Sequence, residues 1–230
     1  MCQQAAPLAV PEQERNEVHV RVALFGASGF IGSGVLEELL EAGHQVTVLS
    51  RKPDRVAPHT ALKLVQGDVN DPAAVARTID GTEAVISCLG TRRNEKQSVD
   101  FLAGALGTII EAMERFGVER LVAISGAGIA VTGEPKPFPH NAISAVVRTL
   151  ARDTVAAKQR EFAVLQANST IVWTAVRPTR VVNGPATDRT RVTLDAGQLG
   201  MRVTRGDLAR FMVSQLTDRS YIRLAPFISS

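Results

Sequence analysis

Short runs of β-branched and apolar residues alternate along the chain with stretches whose apolar positions recur every three to four residues. Runs of the first kind fall at 19–25, 45–49, 62–66, 84–88, 119–124 and 170–176, with a further one at 221–224; helical patterns fall at 30–42, 72–79, 98–116, 141–167 and 206–217. In the third of these patterns Val99, Leu102, Ala103, Leu106, Ile109, Ile110 and Met113 share one face, and Gly117 ends it, so the stripe reads as core. Strands and helices that alternate in this way predict an α/β fold: a doubly wound parallel sheet with helices on both faces, in a single domain.

Two segments break the rhythm. Gly126-Ala-Gly128 leads into Gly133-Glu-Pro135-Lys-Pro137-Phe-Pro139-His140, and Arg177-Pro178 runs through Asn183-Gly184-Pro185 to Arg191. Each follows a strand, which places it over the carboxyl edge of the sheet, where open α/β sheets bind ligands. They are expected to wall or cover a substrate pocket, the second as part of a small C-terminal elaboration on the substrate side. Residues 1–17, with Pro7, Pro11, Glu12, Glu14 and Glu17, read as a flexible arm ahead of a domain spanning 18–230. The apolar stretch in that arm is too short and broken for a signal peptide or a membrane span.

The first strand carries the strongest chemical signal. Val20-Arg-Val-Ala-Leu-Phe25 runs into Gly26-Ala-Ser28-Gly29-Phe30-Ile31-Gly32 and then directly into a helical pattern. In a dinucleotide site of this kind the first glycine makes the turn, the second lets main-chain N–H groups approach a pyrophosphate, and the third lets the helix pack closely. The helix start directs unpaired N–H groups and the positive end of its dipole at the anion.

The nucleotide is read from the end of the second strand. An NAD-preferring site places a carboxylate there for the ribose hydroxyls. This chain has Leu49-Ser50-Arg51, with Asp54 beyond Pro53, so Arg51 and Arg55 are expected to flank a 2′-phosphate and NADP(H) is favoured. Gly67-Asp68-Val69, after the third strand, is assigned to the adenine, with the Asp68 carboxylate accepting from its amino group. Leu89-Gly90-Thr91-Arg92, after the fourth, is assigned to the nicotinamide half.

Composition narrows the rest. A 230-residue chain with net charge +3, 4% aromatic residues and no dense Lys/Arg run offers no track for a nucleic-acid backbone. Cys2 and Cys88 form no paired motif, which fits a reducing compartment and a cytoplasmic location, and Cys88 reads as a small buried hydrophobe. Four histidines and two cysteines show no metal-ligand spacing, so no metal site is expected.

Taken in order, Gly26–Gly32, Val48-Leu-Ser-Arg51 with Arg55, Gly67–Val69, Leu89–Arg92, Leu121-Val-Ala-Ile-Ser125-Gly126, Trp173-Thr-Ala-Val-Arg-Pro178, and Val192–Asp195 followed by Val203–Ala209 span residues 19–224. With these motifs the chain resembles the atypical short-chain dehydrogenase/reductases, specifically the NAD(P)H-binding NmrA-like group that includes the biliverdin-IXβ reductases, or flavin reductases. The resemblance implies a Rossmann-like sheet with NADP along its carboxyl edge, Pro178 among the cofactor contacts, and Ser125 facing the nicotinamide and the substrate.

The chain departs from that pattern where proton transfer is concerned. The usual Tyr-x-x-x-Lys dyad is missing: the single tyrosine is Tyr221, Lys158 fits the lysine position, and Thr154 stands where the phenol would be. An aliphatic hydroxyl is a poor general acid at neutral pH, while Lys158 is left with the nicotinamide ribose as its expected ligand. Histidines near the pocket in biliverdin-IXβ reductases are not reproduced, with Phe162 and Thr179 in those regions, and His140 is the imidazole that the Pro-rich segment can offer. Two functions fit. One is an NADPH-dependent reductase passing hydride to a small conjugated acceptor such as a flavin, a quinone or a tetrapyrrole, with Ser125 and Lys158 as the catalytic residues. The other is an NmrA-like sensor that binds NADP(H) without turnover and reports to a protein partner. Neither calls for nucleic acid or a membrane.

Overall fold

The computed structural model describes residues 18–91, 97–131, 152–187 and 189–230. Ten strands and five helices occur among them: β1 (Arg21–Phe25), α1 (Phe30–Glu41), β2 (Gln45–Ser50), β3 (Leu62–Gln66), α2 (Pro72–Ile79), β4 (Ala84–Ser87), α3 (Gln97–Phe116), β5 (Arg120–Ile124), α4 (Arg152–Ala167), β6 (Val172–Pro178), β7 (Arg180–Val182), β8 (Arg191–Thr193), β9 (Arg202–Thr204), α5 (Arg205–Ser214) and β10 (Phe227–Ser229). The expected arm at 1–17, the Pro-rich segment with His140, and the first part of the 141–167 helical pattern lie outside the described residues.

Eight strands form one sheet in the order β3-β2-β1-β4-β5-β6-β10-β8, parallel except for β8, which runs antiparallel to β10. The doubly wound fold expected from the sequence is therefore present. Its central strands are apolar on both faces because helices cover both: β4 and β5 are buried at every position. On one face Phe25, Val85, Leu121 and Trp173 pack with Leu106, Ile109, Met113 and Phe162 beneath α2, α3 and α4. On the other, Leu24, Val48, Ile86 and Val122 pack with Val35, Leu39, Leu208 and Met212 beneath α1 and α5. Strand order reverses between β1 and β4, so the loops leaving them diverge and open a crevice at the carboxyl edge.

Two expectations are corrected. The run at 221–224 makes turns and forms one isolated β-bridge to the sheet, from Leu224 to Thr174. The strand forms later, at Phe227–Ser229, where Phe227 and Ile228 are buried while Leu224 is 38% exposed. Arg223, with φ of 56°, breaks any extended run through 221–224. The segment 177–191 is also more ordered than a loop: β7 pairs in parallel with β9 as a separate two-stranded sheet, and β8 closes the edge of the large one.

Candidate functional site

A cleft of about 560 Å³ opens at the strand reversal, lined by the β1–α1 turn and by the residues that leave β2, β3 and β4. Its floor starts at Gly26, whose φ of +86° belongs to glycine, and where a Cβ would stand 2.7 Å from the Cys88 carbonyl oxygen. Gly26 thus makes the turn and also lets the loop after β4 close against it. Gly32 performs the third role in the motif by packing against the turn itself: a Cβ there would lie 2.1 Å from the Gly26 oxygen. Ser28, Gly29, Phe30 and Ile31 line the cleft directly.

The first turn of α1 suits an anion. Its leading N–H groups have no intrahelical acceptor, Gly29 at the cap brings no side chain to satisfy them, and the turn carries no acidic residue. A diphosphate fits such a cradle in charge and in space. Phe30 is 52% exposed at the mouth of the cleft, and the Arg205 guanidinium lies 5.9 Å from its ring centroid while bonding Ser33 and Glu37.

At the next strand ends, register brings two of the predicted residues together. Ser50 pairs with Gln66, the Gly67 N–H donates to the Ser50 carbonyl, and the side chains just beyond, Arg51 and Asp68, stand 3.7 Å apart as an ion pair on the cleft wall. One Asp68 oxygen accepts from the backbone N–H and side-chain amide of Asn70, at 2.9 and 2.8 Å. Arg55 sits on the short turn at Pro53–Arg55, exposed and off the cleft lining. Val69, Leu89, Gly90 and Thr91 line the cleft; Arg92 lies outside the described residues.

Ser125, Lys158 and Pro178 do not line the cleft. Pro178 ends β6 beside Ile228 of β10. Ser125 follows β5, its N–H donating to the Val176 carbonyl at 2.7 Å. The Ser125 hydroxyl is buried with no hydrogen-bond partner among the described residues, and so is that of Ser87 at the end of β4. Lys158 is engaged differently from the sequence expectation of a ribose ligand. The residue is 8% exposed, and its ammonium donates to the Leu89 carbonyl at 2.7 Å, the Ile124 carbonyl at 2.8 Å and the Glu161 carboxylate at 2.7 Å. An ammonium has three protons, and each has an acceptor here.

Lys158 and Glu161 therefore tie α4 to the ends of β4 and β5. Burial pushes the Glu161 carboxyl above its ordinary range, against the opposing pull of the Lys158 charge and hydrogen bond. Thr154, at the phenol position, shares a hydrogen bond of 3.1 Å with Thr91 on the cleft wall. Tyr221 packs edge-on against Phe211, and its carbonyl accepts from Thr174. Phe162 is core, edge-on to Trp173, and not a pocket residue. Burial pushes the Cys88 thiol up to about 12, against a smaller lowering by Lys158, which leaves it an inert wall residue.

Sequence reasoning missed Phe101, which reaches the cleft from α3, and Glu161. Phe101 adjoins the apolar stripe without belonging to it, so periodicity gave no reason to single it out. Glu161 stands three residues after Lys158, a helical ion-pair spacing that was available to be read. Among the described residues no group of His, Cys, Asp and Glu side chains could hold a metal ion, and no helix is long and apolar enough to cross a membrane.

Known proteins resemble this chain in sequence and in fold. A 3 beta-hydroxysteroid dehydrogenase/Delta 5→4-isomerase of Mycobacterium tuberculosis is 30% identical over 124 residues, which are 50% of this chain and 34% of that protein. The match thus spans about a third of the relative. Among solved structures, a short-chain dehydrogenase/reductase of Veillonella parvula in complex with NADP superposes with a TM-score of 0.74 at 18% identity, covering 92% of this chain and 95% of the other. ChuY, an anaerobilin reductase of Escherichia coli O157:H7, superposes with a TM-score of 0.71 at 20% identity, covering 90% and 96%. At these identities the two structures share the fold. The model of the NAD(P)H-binding family matches residues 26–219, from the first glycine of the cleft to the turn after α5. The chain belongs to the NAD(P)H-binding family.

Proposed function

We propose that the protein is an NADPH-dependent reductase that delivers hydride to a conjugated acceptor of the flavin, quinone or tetrapyrrole type. The observation that carries this reading is the side-chain chemistry beside the cleft. The phenol position holds Thr154, and the lysine that usually accompanies the phenol is fully engaged by Leu89, Ile124 and Glu161. Reduction of an isolated ketone builds a full alkoxide charge and calls for a strong proton donor. A conjugated acceptor spreads the arriving charge and takes its proton from water, so orientation supplies most of what the protein must provide.

The reduced cofactor supplies a hydride when bound. The α1 N-terminus and the Gly26–Gly32 turn hold the diphosphate, and Arg51 selects the 2′-phosphate with a planar guanidinium. Val69, Leu89, Gly90, Thr91 and Phe101 enclose the rest of the dinucleotide. Ser125, which follows β5 behind the cleft lining, is assigned to the acceptor side by the family resemblance; its buried hydroxyl has no partner among the described residues that would hold it away from an acceptor. Lys158 acts one step removed, by fixing the strand ends that carry Leu89 and Ser125.

Steady-state oxidation of NADPH with a panel of FMN, quinones, linear tetrapyrroles, ketones and nucleotide sugars tests the reading. Turnover that depends on the conjugated acceptors supports it, and turnover confined to ketones or nucleotide sugars overturns it. Tight NADPH binding with no turnover across the whole panel replaces it with the sensor, for which loss of the phenol is equally suitable.

A further inference from the structure

We propose that Asp68 is a specificity-determining residue that restrains Arg51, so that the cleft accepts dinucleotides both with and without a 2′-phosphate. The inference rests on the reading of Arg51 as the 2′-phosphate partner and qualifies how strongly that partner selects.

The two side chains meet because of strand register. Ser50 and Gln66 are the last paired residues of β2 and β3, and the Gly67 N–H extends the pairing by one bond to the Ser50 carbonyl. Gly67 has to be glycine for this, since a Cβ would lie 2.5 Å from the Ala74 Cβ of α2. The chain then presents Asp68 to the cleft beside Arg51, with 3.7 Å between the carboxylate and the guanidinium. The carboxylate is held in that orientation, because its other oxygen is anchored by the Asn70 N–H and amide. It has no corresponding hold from α2, whose cap is the separate carboxylate of Asp71.

An anion received by Arg51 must share the guanidinium with Asp68 and sit close to a second negative charge. A ribose hydroxyl meets the opposite situation, since it can donate to the same carboxylate. The two residues thus hold both chemistries at one strand edge: a cation for the phosphorylated ribose and an acceptor for the plain one. Arg51 and Asp68 side chains are 56% and 39% exposed, so solvent weakens their attraction and the restraint tempers selection without abolishing it. An ion pair of this exposure shifts affinities by about two- to fivefold.

The experiment is calorimetric titration of 2′,5′-ADP and of 5′-ADP into the full chain, in the parent protein, Asp68→Asn, Arg51→Ala and the double variant. Asparagine keeps the oxygen that anchors the Asn70 turn and removes the charge. Asp68→Asn is expected to tighten 2′,5′-ADP by about two- to fivefold while 5′-ADP stays unchanged or weakens. That gain is expected to vanish when Arg51 is already alanine. Unchanged or weaker 2′,5′-ADP binding in Asp68→Asn overturns the proposal, as does a gain that persists without Arg51. Equal weakening of both ligands by Arg51→Ala removes the 2′-phosphate reading itself. Selective loss there, with no gain at Asp68→Asn, sinks only the role of Asp68.

Discussion

Replacing Lys158 by methionine separates a clasp from a cofactor ligand. The substitution keeps the length of the side chain but deletes three donors, leaving the Leu89 and Ile124 carbonyls and the Glu161 carboxylate without their partner. Removing one member of a buried ion pair costs about 3–5 kcal/mol. In a domain of this size each kcal/mol lowers Tm by about 2–4 °C, so the expected drop is roughly 10 °C. The loss is pH-dependent. Glu161 already has a folded-state pKa above its ordinary 4.5 through burial, and Lys158 is what opposes that shift. Without Lys158 the carboxyl rises further and favours protonation. Stability from a raised carboxyl pKa is fully present below the unfolded value and lost as pH rises through the folded one. The Tm deficit of Lys158→Met should therefore be smaller in acid, where the two carbonyls are the remaining defect, and grow toward neutral pH. Lys158→Met/Glu161→Leu removes the unpaired carboxylate and should recover part of the loss at neutral pH, leaving the two carbonyls as the remaining defect. Differential scanning calorimetry across pH reads all of this. A Tm unchanged from the parent at every pH, together with lost dinucleotide binding, would refute the clasp and return Lys158 to the ribose.

Arg51→Ala should weaken NADPH by about tenfold or more, the scale of a charge-assisted hydrogen bond, with little change for NADH in fluorescence titrations. Ser125→Ala should lower kcat/KM for a conjugated acceptor by up to about tenfold at unchanged Tm, because its hydroxyl has no partner to lose among the described residues; equal turnover in steady-state assays would remove its orienting role. Gly32→Ala should abolish dinucleotide binding and lower Tm in thermal melts, since its Cβ would stand 2.1 Å from the Gly26 carbonyl oxygen. Burial raises the Asp207 carboxyl, but the Thr187 N–H and the hydroxyls of Ser230, Thr204 and Thr187 outweigh it and hold the pKa below 3.8. Its contribution is present above that value and disappears as pH falls through the lower folded one. Asp207→Asn should lose about 1–3 kcal/mol at neutral pH and less in acid, by chemical denaturation.

The parallel sheet was legible because its central strands are apolar on both faces and the α3 segment carries an apolar stripe. The cleft was legible through glycine, since Gly26 and Gly32 answer to close main-chain contacts that no other residue allows. Side-chain partnerships were harder. Arg51 was read as free for phosphate, yet its pairing with Asp68 depends on how β2 and β3 are registered, and register is a relation between strands. Lys158 was matched by position to a ribose ligand, whereas burial against two strand ends decides what its ammonium bonds. The shift from 221–224 to Phe227–Ser229 has a similar cause: Tyr221-Ile-Arg-Leu224 has strand-like composition, but the sheet has room for the residues after Pro226.

The position of β10 orders the assembly of the molecule. Residues 227–229 lie between β6 and β8, so the far side of the large sheet can be completed only after β10 arrives, the last in chain order of the described strands. Strands β1 to β5, by contrast, come from residues 21–124 and need no later segment to pair among themselves. Pairing across short sequence separations forms quickly, and distant pairing waits on loop closure. During synthesis the nucleotide half can therefore take shape on the ribosome while the β6 edge is still open, a stage at which an emerging chain is exposed to wrong strand partners.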